Sequence, residues 1–482
     1  MNNLYEQFKA IKLKDPKQFY SLIDEAKDFS VVHGNVLRLS SSKGRSDVVK
    51  HSPVTLIPSP FPKELYEEAI EIQPLMNKLY FKISLDYKFL KESIECVLEI
   101  DDFTRKLMNI YDIIMNEGIQ QPITLLLQRA DYFCHTTNHN NQQEYELKQI
   151  EVNNIAAGMA SLSQITTQMH RHILRNSSIS YCEDKLPQNR GNDTVGQGLA
   201  EAWKLYGNTN AYVLHLIEDV NQNQLDHRHI QYSTDYFSSY QCKTIRIPLS
   251  ECRSRLKLGE NNELIMDDKY EIGVVYFRTG YSPNNYIDDE DWNSRLLIER
   301  SRAIKSPWIG LQLANLKKIQ QVLVEEGVIE RFLDNSGEIQ KVMKTFARMW
   351  SLNGNIDEIK KDVFENTKNY VLKEQLEGGF GNYFDSDIIE KMKDKDVLKS
   401  CILMERLNPL KSRNYILVSE KEPEDCEVVS ELGIMGSYIG NIKTKEEYFN
   451  HYGGYLLRTK KSTETKGGVT IGASSIDSVY TI

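Results

Sequence analysis

The chain has 482 residues, 40% of them hydrophobic, and a formal charge of −9, which leaves room for two or three domains and excludes non-specific nucleic-acid binding, though not a local cationic pocket. The N-terminus, Met1-Asn2-Asn3-Leu4-Tyr5-Glu6-Gln7-Phe8-Lys9, interleaves charge with apolar residues, and no apolar run approaches the ~20 residues of a bilayer span, so the expectation is a cytoplasmic chain with no membrane partner. The seven cysteines are scattered and never spaced Cys-x-x-Cys, which points to reduced thiols rather than disulfides or a zinc knuckle.

Taken in order, the chain starts with a helix that runs into a Ser-rich connection at residues 40–44. Four prolines between Ser52 and Pro62 exclude a helix there. From Lys63 to about Gly118 apolar residues recur at helical spacing: Leu65, Ala69, Ile72 and Leu75, then Phe103, Leu107, Ile110 and Ile114. Residues 123–129 and 144–153 read as strands joined by a polar loop around Asn138 to Gln143. A helix over 159–174 and a second one beginning near Gly196 follow. From Asn210 strands alternate with helices, with strands at 211–217, 242–247 and 272–277 and helices near 225–232 and after Asp288; that alternation predicts a smaller inserted α/β domain. A helix over 312–326 and strands at 402–407, 426–438 and 455–460 complete the chain. The expected partition is 1–209, 210–311 and 312–482.

Four constellations point to chemistry. The run Tyr370-Val371-Leu372-Lys373-Glu374-Gln375-Leu376-Glu377-Gly378-Gly379-Phe380-Gly381-Asn382-Tyr383 opens a lysine-bearing strand into glycines, whose N–H groups can approach phosphate oxygens while Glu377 offers oxygen to Mg²⁺. It is not a Walker A loop. Glu151 and Asn153 stand two apart on a strand, so their oxygens share a face. Arg278, beside Gly280 and Tyr281, ends an apolar strand where a guanidinium suits a carboxylate, and Arg458 and Lys460 precede the turn Gly467-Gly468-Val469-Thr470-Ile471-Gly472. Each set alone has a bland alternative: a glycine-rich surface hairpin, an exposed polar face, a surface arginine, a basic edge strand. Zinc at His135 and His139 is set aside because residues 134–143 read as a polar loop, and His170/His172 and His227/His229 have a spacing that cannot share a helix face.

Seven collinear blocks, Leu147 to Asn153, Tyr276 to Tyr281, Lys317 to Gln321, Lys373 to Asn382, Ile402 to Glu405, Ser430 to Ile434 and Leu456 to Lys460, together resemble the eukaryotic glutathione synthetase family. The resemblance implies a mixed α/β (α+β) ATP-grasp ligase with permuted domain order, an inserted α/β substrate domain and a glycine-rich lid near 367–400. It implies magnesium, two ions per subunit, on Glu151, Asn153 and Glu377. ATP contacts fall on Glu151, Lys317, Lys373, Glu377, Gly378, Gly379, Gly381, Asn382, Met404, Glu405, Arg406, Leu407, Glu431 and Lys460. Substrate contacts fall on Arg129, Asn223, Arg278, Tyr281, Arg458, Val469 and Thr470, with Arg129 and Arg458 catalytic. The implied reaction joins glycine to γ-glutamylcysteine through an acyl phosphate, in a homodimer, and needs charge neutralisation more than a nucleophilic side chain.

Several positions depart from the family pattern. Gly158 stands at a serine, Asn221 at a glutamate and His227 at a glutamine, which bears on dipeptide recognition. Glu374 stands at a proline, Phe380 at a glycine, Phe384 at a tyrosine and Lys466 at an aspartate. Thr470 and Ile471 occupy a turn that carries small residues in the family, which bears on the acceptor. Rival readings are a synthetase for a glutathione analogue with another terminal amino acid, or a non-catalytic nucleotide-binding relative.

Overall fold

The structure, a computed structural model, describes the chain apart from residues 1–2, 43, 140–141, 220, 355, 376–380 and 466. Its frame is a 13-stranded mixed sheet whose centre is three long antiparallel strands, Ile123–His139, Glu424–Asn441 and Glu447–Lys461. These are rich in β-branched and aromatic residues, which pack well on a pleated surface. Separate apolar clusters pack the sheet, one built with the helix Lys63–Ser84 and another with the helices Ala160–Asn176 and Gly191–Tyr206.

The strand Ile123–His139 changes neighbours along one edge. Thr124 pairs in parallel with Lys305 of the short strand Ile304–Ser306, whereas from Arg129 onward the partner is Gln142–Asn153, antiparallel. Through Ile304–Ser306 the sheet continues in parallel to Tyr270–Phe277, Tyr212–Ile217 and Lys243–Pro248. The strands expected in the inserted segment therefore exist and extend the main sheet. A fork of this kind opens a crevice beside the strand ends, where ligands of open sheets bind.

A second, four-stranded antiparallel sheet joins Met349–Ser351, Ile402–Glu405, Tyr370–Lys373 and Asn382–Tyr383. It has its own small core around Val363, Leu372, Ile388 and Leu403. Among the described residues, no helix is long and apolar enough to cross a membrane.

Three sequence expectations are corrected. Residues 134–139 and 142–143 are strand rather than polar loop, and the two strands pair out to His139 and Gln142. Polar residues such as Thr136 and Thr137 have ample β-propensity, and the cross-strand ladder supplies what an apolar pattern does not show. The segment 312–326 is two short helices, Ile309–Ala314 and Lys317–Leu323, because Leu316 is extended and the Asn315 side chain accepts a hydrogen bond from the Asn154 N–H at 2.5 Å. The helix placed near Gly196 starts at Gly191. Elsewhere, the helical stretch 63–118 resolves into Lys63–Ser84, Tyr87–Leu98 and Asp102–Glu117, the latter two N-capped by Asp86 and Asp101.

Candidate active site

Sheet register assembles the centre of the site. Asp131 lies opposite both Glu151 and Gly433 on its two neighbouring strands, and Glu431 lies opposite Arg458. Cross-strand partners share a face, so acids and arginines from four strands meet on one side of the sheet. Arg129 grips Asp131 with two hydrogen bonds, Nε to Oδ1 at 2.6 Å and Nη2 to Oδ2 at 2.8 Å. Arg458 Nη2 lies 3.2 Å from Asp131 Oδ2 and 3.6 Å from Glu151 Oε1, and it also pairs with Glu431. Asp131 is 1% exposed, so its charge is tolerable only because these partners satisfy it. Gly433 makes room for it: a Cβ there would collide with Asp131 Oδ1 and stand 2.7 Å from Arg129 Cδ.

Asp131, Glu151 and Glu431 each offer a carboxylate oxygen within 4.8 Å of the others. Asn153 turns its amide N–H groups inward, to Asp131 Oδ2 at 3.1 Å and the Arg129 carbonyl at 3.3 Å, which leaves its carbonyl oxygen directed away from them. Such a hard oxygen set fits magnesium. Burial pushes the Glu151 carboxyl up, but Lys317, Arg458, Lys373 and Arg129 outweigh it and hold the value at about 2. Glu151 is thus an anion at any physiological pH.

Two cavities meet here. One, about 330 Å³, is lined by Glu151, Lys373, Asn382, Met404, Glu431 and Lys460, and also by Glu405, Arg406 and Leu407. Lys373 reaches it from the small sheet, where it pairs with Asn382, and donates to the Ile150 carbonyl at 3.0 Å. Burial, then the charge of Arg458, push the Lys460 amine down to about 8. The other cavity, about 350 Å³, is lined by Arg129, Asn223, Arg278, Tyr281, Val469 and Thr470. Arg458 lines both.

Most of the described residues named from sequence fall on these walls, but Asn153 and Gly381 do not. Lys317 does not line either cavity, yet it is buried and its charge acts on Glu151. Gly381 has φ +72° and its carbonyl accepts the Glu374 N–H at 2.9 Å, closing the base of the glycine-rich hairpin. Glu377, Gly378, Gly379, Phe380 and Lys466 lie outside the described residues. Thr470 lines the second cavity, whereas Ile471 is 56% exposed. The histidines are structural or supporting: His135 accepts the Asn408 N–H, His170 is buried between Thr55 and Ser478, and His227 accepts from Arg278 Nε at 3.0 Å. Sequence reasoning missed Asp131 and Glu218. Arg129-x-Asp131 has the same two-residue spacing as Glu151-x-Asn153, and that echo, running just past the end of the predicted strand 123–129, was the available signal.

Comparison with known proteins agrees along the whole chain. A sequence model described as eukaryotic glutathione synthase, ATP binding domain, matches residues 16–481. The glutathione synthetase of Mus musculus is 34% identical over 476 residues, 98% of each chain. The chloroplastic glutathione synthetase of Arabidopsis thaliana is 34% identical over 480 residues, 97% of this chain and 86% of that one. A solved glutathione synthetase-like effector from Globodera pallida, in apo form, superposes with a TM-score of 0.79 at 27% identity, covering 97% of this chain and 98% of that chain.

Proposed function

The chain belongs to the eukaryotic glutathione synthase family, and from that premise we propose that it is an ATP-dependent ligase joining glycine to γ-glutamylcysteine, with release of ADP and phosphate. The observation that carries the reading is Arg458, which lines both cavities and so stands where a phosphoryl group from one side meets a carboxylate from the other. The cavity beside Lys373 and Lys460 takes ATP. The cavity beside Arg129 and Arg278 takes the dipeptide. Fold and organisation follow the same reading: an ATP-grasp body with permuted order, the segment 210–311 as substrate domain, the hairpin around Gly381 as lid, and a cytoplasmic homodimer.

In this mechanism Arg129 and Arg458 hold the cysteinyl carboxylate, and Lys373 and Lys460 hold the phosphates. Glu151 and Asn153, with Glu377, would bind magnesium, whose charge when bound neutralises phosphate oxygens. The carboxylate attacks the γ-phosphorus, ADP leaves, and the glycine amine then displaces phosphate from the acyl carbon. Charge builds on the transferring phosphoryl group and on the tetrahedral oxygen, and Arg458 is held in place to meet it without reorganisation. No side chain has to become a nucleophile.

The test is phosphate release from ATP and γ-glutamylcysteine, with and without each candidate amino acid. Glycine-dependent release supports the reading, and its absence with every amino acid sinks it. Thr470 on the cavity wall favours one second reading, a synthetase for an analogue. Competition of glycine, alanine, β-alanine and serine decides it: glycine is expected to lead alanine and β-alanine by roughly 10- to 200-fold in kcat/KM. A larger yield of serine or β-alanine product would replace the glycine assignment.

A further inference from the structure

The dipeptide cleft is lined by three arginines and, among the described residues, a single carboxylate, Glu218. Arg129 and Arg458 are already paired with acids of the sheet. Among the described residues, Arg278 and Glu218 make no ion pair, although the charge of buried Asp226 acts on Arg278. Arg278 is 4% exposed; its Nε donates to neutral His227 at 3.0 Å and its Nη1 to the Ala157 carbonyl at 2.6 Å. Its Nη2 makes no hydrogen bond among the described residues, and a Cβ on Gly158 would stand 3.0 Å from that nitrogen. The glycine that departs from the family pattern therefore keeps one guanidinium nitrogen open to the cleft.

Among the described residues, Glu218 is held by neutral donors. Its Oε1 accepts from the Tyr281 hydroxyl at 2.6 Å and from Asn285 Nδ2 at 3.2 Å, and its Oε2 from Asn221 Nδ2 at 2.8 Å. Asn285 is itself fixed, since its Oδ1 accepts the N–H groups of Gly280, Tyr281 and Ser282. Each carboxylate oxygen has room for two donors, so Oε2 keeps one position free while the carboxylate is rigidly aimed. A fixed anion and a fixed cation that do not neutralise each other suit one ligand chemistry: a carbon bearing both an ammonium and a carboxylate.

We propose that Glu218 binds the free α-ammonium of the γ-glutamyl residue, as the new half of an α-amino-acid clamp at the end of the dipeptide remote from the reacting carboxyl, the other half being Arg278, which the ligase reading already sets against the dipeptide. The proposal rests on the ligase reading above. It also accounts for Asn221: where the family pattern has a glutamate, this chain has an amide that donates to Glu218, so the cleft keeps one negative charge but carries it on another residue. Glu218 is then a specificity-determining residue for dipeptides with a free amino group.

The experiment compares γ-glutamylcysteine with glutarylcysteine, which lacks only the α-amino group, in the wild-type chain and in Glu218→Gln. A charged hydrogen bond of this type is worth about 10- to 100-fold, so the wild type should prefer γ-glutamylcysteine by about that factor in kcat/KM. Glu218→Gln should bring the ratio of the two substrates close to one, and Glu218→Asp, which keeps the charge, should retain a preference. A Glu218→Gln variant that keeps the full preference, or loses both substrates equally, overturns the clamp. Calorimetric binding of the same two dipeptides without ATP or glycine reads the preference independently of turnover. If wild type binds them with the expected preference but makes no product, the ligase reading fails and the clamp stands.

Discussion

The two ends of the dipeptide cleft manage charge in opposite ways. Around Asp131 the sheet has brought acids and bases together and closed them into pairs: Arg129 on Asp131, and Arg458 shared among Asp131, Glu151 and Glu431. Around Arg278 and Glu218 the charges are fixed by neutral groups and left apart. A closed cluster holds its arginines in fixed positions, so charge that develops only in the transition state is met without reorganisation, and interactions that strengthen along the reaction are the ones that lower a barrier. An open pair needs only to be completed, which contributes affinity and selectivity that are the same in ground and transition states. On the proposed reading, the same residue type, arginine, serves rate at one end and recognition at the other.

The sharpest way to break this comparison is Arg458→Ala, expected to cut turnover by roughly 10²- to 10³-fold, the loss typical of one preorganised charge-stabilising donor. If steady-state kinetics show instead a raised KM with kcat unchanged, Arg458 acts in ground-state binding and the distinction between the two ends disappears. Gly433→Ala probes the closed cluster without replacing a charged residue. The added methyl collides with Asp131 and presses on Arg129, and overpacking of this kind costs about 1 to 3 kcal/mol. Thermal melting should show that loss, and kcat should fall by roughly 10-fold, while the preference for a free α-amino group stays at the wild-type ratio. A change in that ratio would mean the two ends are not separable. The smallest effect concerns Lys460, whose amine is pushed down to about 8 by burial and by Arg458. A lysine with a lowered value is charged below it and loses its charge as pH rises through it, so the KM for ATP should climb roughly fivefold between pH 7.5 and 9. Lys460→Arg, which stays protonated, should flatten that profile. A profile that is already flat in the wild type removes Lys460 from phosphate binding.

Most of the site was legible because its residues announce themselves through local spacing. Glu151-x-Asn153 is readable wherever a strand is recognised, and Lys373 leads directly into glycines. Asp131 is different: its role exists only through register, opposite Glu151 on one side and Gly433 on the other, and nothing local reports which strands will be neighbours. Glu218 was hidden for a similar reason, since Tyr281 and Asn285, which aim it, come from the far side of the cleft wall. The break between Ile309–Ala314 and Lys317–Leu323 escaped the helical period because it is set by a bond from Asn154 to the Asn315 side chain, a tertiary contact that overrides propensity. In the strand pair Ile123–His139 and Gln142–Asn153 the polar residues of the outer half masked the strands, although the pairing runs on past a register shift at Asp131/Tyr132 as far as His139 and Gln142.

The pairing of Asp131 with Gly433 also governs the order in which the molecule is made. The two positions are separated by roughly 300 residues, and closing so long a loop carries an entropic cost that is met only once the late strands are available. As the chain leaves the ribosome, the strand Ile123–His139 has one long edge waiting for Glu424–Asn441. An uncovered apolar strand edge of that length is a template for wrong pairing. Because Arg458 arrives later still, the cluster around Asp131 is among the last features to form, and a chain halted before the final strands would hold most of the fold's sequence and none of the chemistry proposed for it.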